Sequence, residues 1–95
     1  MSILWSPRSL SDIRAIRDSI AQDNPSAALN LINQIFDSSE ITLATNPQAG
    51  RPGRVEGTRE WVVHKHYIVV YRIAQSGQVQ VATVRHTSRG WPDVI

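Results

Sequence analysis

The apolar positions change period halfway along the chain. Leu10, Ile13, Ile16 and Ile20 recur at three- to four-residue spacing, which lines them along one stripe of a helix over residues 7–22. Arg8, Asp12, Arg14 and Asp18 fall mostly off that stripe. Ser6 before Pro7 supplies the start. A serine hydroxyl caps the first amides, and proline at the first helical position lacks only an N–H that would have had no partner. Asn24-Pro25 repeats this signal. Ala28, Leu31, Ile32, Ile35 and Phe36 form a second stripe, which weakens at Asp37-Ser38-Ser39 and resumes at Ile41 and Leu43. The pattern predicts a second helix over residues 25–44, bent near Ser38. Asn46-Pro47 ends it, because a residue before proline avoids helical dihedrals. The connection between the helices is very short, so they should lie antiparallel as a hairpin.

The second half reads as strands. Residues 59–64 are one candidate. Residues 66–73, H-Y-I-V-V-Y-R-I, are β-branched or aromatic almost throughout and give the strongest strand signal. Ser76-Gly77 marks a hairpin turn, and residues 78–86 begin with clean alternation. A short apolar run at residues 2–5 predicts an opening strand, and residues 87–95 should be irregular. Alternation puts Tyr67, Val69 and Tyr71 on one side of the main strand and Ile68, Val70 and Arg72 on the other. Both sides are largely apolar, as in a central strand. Neither layer can bury its apolar face alone, so the helical hairpin must pack on one face of a small sheet. The predicted class is α+β: an N-terminal strand, an antiparallel helical hairpin and a mainly antiparallel sheet.

Size limits this to one domain over residues 1–95, since a 95-residue chain hides only roughly two thirds of its unfolded surface. There is no cysteine, which excludes a disulfide scaffold, a thiol nucleophile and a cysteine zinc site. No apolar run approaches the ~18 residues of a membrane span, and the first ten residues lack the basic start and apolar core of a signal peptide. The expectation is a soluble cytoplasmic protein with no membrane partner and no cofactor.

Charge divides the chain. Residues 1–45 hold three arginines against five carboxylates, whereas residues 46–95 hold six arginines and one lysine against three carboxylates. The basic half should face an anionic partner. Its densest stretch is residues 50–60, G-R-P-G-R-V-E-G-T-R-E, where glycine and proline exclude a long helix or a regular central strand. Arg51, Arg54 and Arg59 carry planar forks suited to phosphate or carboxylate. Arg85, His86 and Arg89 add to the candidate surface, and Trp91 either packs back on the sheet or reaches a partner. Trp5 and Trp61 sit in strand patterns and read as core or sheet-face residues. His64 and His66 lack a third ligand, so no metal site is expected. His86, brought near Arg54, Arg59 or Arg72 by folding, would suit acid–base work on a phosphodiester; as a strand-end residue it would only cap by hydrogen bonding. Glu60 reads as one half of a cross-strand ion pair.

Four pieces in order carry a resemblance: W-S-P-R-S-L-S-D-I from Trp5, N-P-S-A-A from Asn24, the arginine-rich loop, and the strands Y-I-V-V-Y-R-I and V-A-T-V-R-H followed by T-S-R-G-W-P. Together they span nearly the whole chain and resemble toxins of the RelE/ParE superfamily of type II toxin–antitoxin systems. The resemblance implies the fold already read, and a cognate antitoxin that wraps the toxin in a hetero-oligomer. It also implies one of two targets. ParE-like members act on DNA gyrase; RelE-like members cut mRNA on the ribosome. Many of the nucleases carry an arginine where Ile68 stands, and some branches carry a glutamate where Gly53 stands. Both departures favour a ParE-like, non-enzymatic gyrase inhibitor contacting its target through Arg51, Arg54, Arg59, Arg85, His86, Arg89 and Trp91. The nuclease alternative would use His86 with Arg54, Arg59 and Arg72, and a third alternative is a non-toxic module that only binds antitoxin.

Overall fold

The computed structural model describes residues 3–87. Its elements are β1 (Leu4–Trp5), α1 (Pro7–Ala21), α2 (Pro25–Thr45), a single 3-10 turn (Pro47–Ala49), β2 (Arg51–Pro52), β3 (Arg59–His64), β4 (Tyr67–Ile73) and β5 (Val79–His86). Both expected caps form. The Ser6 hydroxyl accepts the Ser9 N–H at 3.0 Å and the Asn24 side chain accepts the Ala27 N–H at 3.1 Å. Each is worth about 1 kcal/mol. The expected weakness at Asp37-Ser38-Ser39 does not interrupt α2, which runs unbroken to Thr45. Ser39 is fully buried there, so its small side chain belongs to the packed face of the helix.

The sheet has the order β1-β5-β4-β3-β2. β4 is therefore central, as its two apolar sides require. The β2–β3, β3–β4 and β4–β5 pairs are antiparallel, and β1 joins β5 in parallel. The β4–β5 hairpin turns at Gly77, whose φ of +92° suits a residue without a Cβ.

Both helices lie on one face, with α1 against β5 and α2 against β3. Ile13, Leu31, Ile35 and Leu43 from the helices meet Val63, Val69, Tyr71, Val79, Val81 and Val84 from the sheet. This settles which side of β4 meets the helices: the side of Val69 and Tyr71. Trp5 and Trp61 pack against the same core, Trp5 edge-on to Phe36 at 4.9 Å.

Tyr71 also ties a loop to the core. Its buried hydroxyl donates to the Pro47 carbonyl at 2.6 Å and accepts the Gly50 N–H at 3.0 Å. A Cβ on Gly50 would lie 2.6 Å from that hydroxyl oxygen and 2.8 Å from the Glu60 carbonyl, so only glycine fits. The chain thus leaves α2, passes beneath Tyr71 and enters β2 in a fixed direction.

Candidate functional site

Strand register sorts the basic residues between the two faces of the sheet. Arg59 pairs with Tyr71, so it lies on the helix-facing side. Its Nε donates to the Gly50 carbonyl at 3.0 Å and its Nη2 to the Gln48 carbonyl at 3.1 Å. Arg59 is therefore a brace for the turn after α2, on the same segment that Tyr71 holds. Arg51 pairs with Glu60, Glu60 with Val70, Arg85 with Ile68, and Arg72 with Gln80. These positions share the opposite, open face.

Glu60 organises that face. It is only 7% exposed. Oε1 accepts from Arg51 Nη2 at 3.1 Å and Nε at 3.3 Å, while Oε2 accepts the Arg54 backbone N–H at 3.3 Å. The cross-strand ion pair expected of Glu60 forms, with Arg51 as its partner. One carboxylate thus binds β2 to β3 and fixes the loop that carries Arg54. Burial lowers the pKa of Arg85, and the nearby Arg54 charge lowers it further; Glu60 acts in the opposite sense, and Arg8 adds a smaller lowering. Arg54, Arg85 and Arg8 thus share one electrostatic neighbourhood, reached from a loop, a strand and a helix.

Arg8 was not legible as a site residue. It enters because β1 pairs with the last strand and α1 follows at once. The Ser6 N–H donates to the Val81 carbonyl at 3.1 Å and its hydroxyl to the Ala82 carbonyl at 2.8 Å. Beyond that point the outer edge of β5 turns to α1, where an Asp12 oxygen accepts the Val84 N–H at 3.1 Å and the Thr83 hydroxyl. A groove of about 320 Å³ runs between α1 and this edge, lined by residues including Arg8, Asp12, Tyr67, Thr83, Arg85 and His86.

All three histidines collect at the far end of the sheet. Lys65 and His66 form the β3–β4 turn, and His64, Tyr67 and His86 lie in one row across β3, β4 and β5. The His66 and His86 rings are nearly parallel at 5.5 Å between centroids, and Tyr67 meets His86 edge-on at 5.3 Å. His64 Nδ1 accepts the His66 backbone N–H at 3.1 Å. Its pKa is lowered from the ordinary 6.5, first by burial and then by His66 and Lys65. Protonating Nδ1 would also remove the acceptor of that bond.

The expected meeting of His86 with Arg59 and Arg72 does not occur. Arg72 is in register with Gln80, six positions from His86 along β5, or about 20 Å of strand. Arg59 pairs with Tyr71, and Tyr71 with Val81, which is about 16 Å away by the same rise. Arg89 and Trp91 lie outside the described residues. Among the described residues, no group of three or more His, Cys, Asp or Glu side chains is placed to hold a metal ion, and no helix is long and apolar enough to cross a membrane.

A helical hairpin on one face of a five-stranded mixed sheet, with the first strand beside the last, is the fold of the RelE/ParE superfamily. The chain matches that fold in a solved structure, the chromosomal ParDE toxin–antitoxin system from P. aeruginosa, with a TM-score of 0.77 over 90% of this chain and 95% of the other at 24% identity. It belongs to the family of ParE toxins of type II toxin–antitoxin systems (parDE), whose profile matches residues 3–91. It is similar to the protein Y4kP of Sinorhizobium fredii, with 37% identity over 98% of this chain and 95% of the relative. It is also similar to Toxin RelE2 of Caulobacter vibrioides, with 34% identity over 92% of this chain and 96% of the relative.

Proposed function

We propose that this toxin arrests growth by binding DNA gyrase, without breaking a covalent bond, and that a cognate antitoxin neutralises it. The observation that carries the reading is the separation of its candidate groups. An acid–base residue on a phosphodiester needs phosphate-holding cations within hydrogen-bond reach of the same substrate. Here His86 stands at one end of the sheet and Arg72 at the other, while Arg59 is engaged with main-chain carbonyls. The open face around Arg51, Arg54 and Arg85 has the composition of a contact surface. The antitoxin follows from the likeness to a ParDE system, in which toxin and antitoxin occur as a pair.

Purified toxin should inhibit supercoiling by gyrase in a reaction that contains no ribosome. Unchanged supercoiling at doses that stop growth would reject the reading. One observation favours a second one: His86 and Tyr67 share a groove with Arg85 and Arg8. A ribosome-dependent mRNA endonuclease built there would give codon-positioned cuts by primer extension, lost on His86→Ala.

A further inference from the structure

The open face of the sheet is not uniform. Two apolar side chains stand out on it at different corners: Leu4 on β1 is 53% exposed and Val62 on β3 is 46% exposed. Their surroundings differ. Val62 is in register with Ile68 and Arg85, and Arg85 is already engaged. Leu4 is in register with Gln80, and Gln80 with Arg72, so the three form one row across β1, β5 and β4. Arg72 is exposed and makes no hydrogen bond or ion pair among the described residues. Its guanidinium is therefore an unspent donor, unlike that of Arg51, which is paired with Glu60.

The row borders a groove with a local cause. Val70 is opposite Thr83 and Tyr71 is opposite Val81, which leaves Ala82 as an extra residue in β5. Such a bulge bends its strand, and alanine puts only a methyl group at the bend. Ser6 fixes the far wall, with its N–H on the Val81 carbonyl and its hydroxyl on the Ala82 carbonyl. The result is a groove of about 540 Å³ bordered by Leu4, Pro7, Ala82, Gln80 and Arg72, with no carboxylate among its lining residues. Leu4 and Pro7 offer hydrocarbon at one side and Arg72 a permanent positive charge at the other. Between them the exposed Gln80 amide can both donate and accept.

That combination is complementary to an extended polypeptide that carries an apolar and an acidic side chain. The distance from β1 to β4 is two strand steps, about 10 Å, which matches about three residues of extended chain. We propose that this groove is where the toxin docks on gyrase, seating an apolar side chain of the enzyme against Leu4 and Pro7 and one of its carboxylates on Arg72. This rests on the gyrase reading and places the contact at the β1 corner of the open face. An apolar anchor beside a desolvated arginine is the usual composition of the few residues that dominate a protein interface.

Supercoiling assays with purified gyrase and graded doses of toxin test it. Leu4→Gln and Arg72→Gln should each raise the dose needed for inhibition about tenfold, as loss of an interface anchor does. Arg14→Gln removes the same charge from an exposed position on α1 and should leave the dose unchanged. Thermal unfolding of each variant checks the fold, and Arg72→Gln carries the test alone if Leu4→Gln melts early. Inhibition by Arg72→Gln at the native dose overturns the inference, and so does an equal loss in Arg14→Gln, which would reflect net charge alone. Variants that still inhibit gyrase but escape the antitoxin would give the groove to the antitoxin, and overturn it equally. Each of these leaves the gyrase reading standing. A native toxin that stops growth but never inhibits supercoiling removes the gyrase reading, and this inference with it.

Discussion

The two faces of β4 differ by a one-residue offset and do opposite work. Val69 and Tyr71 turn to the helices and are fully buried in hydrocarbon, with one hydroxyl satisfied by main-chain groups. Val70 and Arg72 turn away, toward Glu60, Arg51 and Arg85. Because side chains alternate strictly along a strand, a slip of one position would bring arginines into the core and valines to the surface. Register is therefore what sorts charge in this protein. It also gives arginines that look equivalent in sequence different tasks: Arg59 braces a turn, and Arg54, a few residues earlier, belongs to the open face.

That division can be tested in order of expected effect. Ile35→Ala, a truncation at a fully buried helix position, should cost about 2–5 kcal/mol by urea denaturation, a large share of the ~5–15 kcal/mol typical of a domain. Tyr71→Phe should cost about 1–3 kcal/mol, because the buried Gly50 N–H loses its acceptor. Arg59→Ala should cost about 1–2 kcal/mol and lower the melting temperature. Arg54→Ala should leave melting within the small scatter of surface changes while reducing toxicity in a growth assay. Equal melting losses from the two arginine variants would erase the distinction between brace and contact.

The smallest expected effect is a pH dependence. The folded pKa of His64 is depressed, so the unfolded chain takes up its proton first. The contribution to stability is complete above about pH 6.5 and is lost as the pH falls through the folded value. His64→Asn keeps an acceptor for the His66 amide without the titration. Its melting temperature should fall less than that of the native protein between neutral and mildly acidic buffers; a parallel fall would exclude His64 as the source.

The elements were readable because each rests on local chemistry. Ser6-Pro7 and Asn24-Pro25 start helices by satisfying nearby amides, and the H-Y-I-V-V-Y-R-I run is central because both its sides are apolar. The arrangement of the site depends on longer-range pairing. The residue offset between Val62 and His64, and the one in β5 opposite Val70 and Tyr71, set which side chains share a face, and no local pattern announces them. Arg8 joins the basic group because β1 pairs with a strand some seventy-five positions later. The gathering of His64, His66 and His86 likewise needs β5 to end beside the β3–β4 turn. The basic character of the C-terminal half was visible in composition, but its division between two faces was not.

Both borders of the sheet are short, and that has a consequence for life in a crowded cell. β2 is two residues long and one is Pro52, which has no N–H to offer. β1 is also two residues long, and the Ile3 N–H just before it is already taken by Glu40 at 3.3 Å. Little unsatisfied main chain is left along either rim to recruit a neighbouring copy into a continuous ribbon. Short rims of this kind give a second copy little to pair with, which works against strand-to-strand self-association.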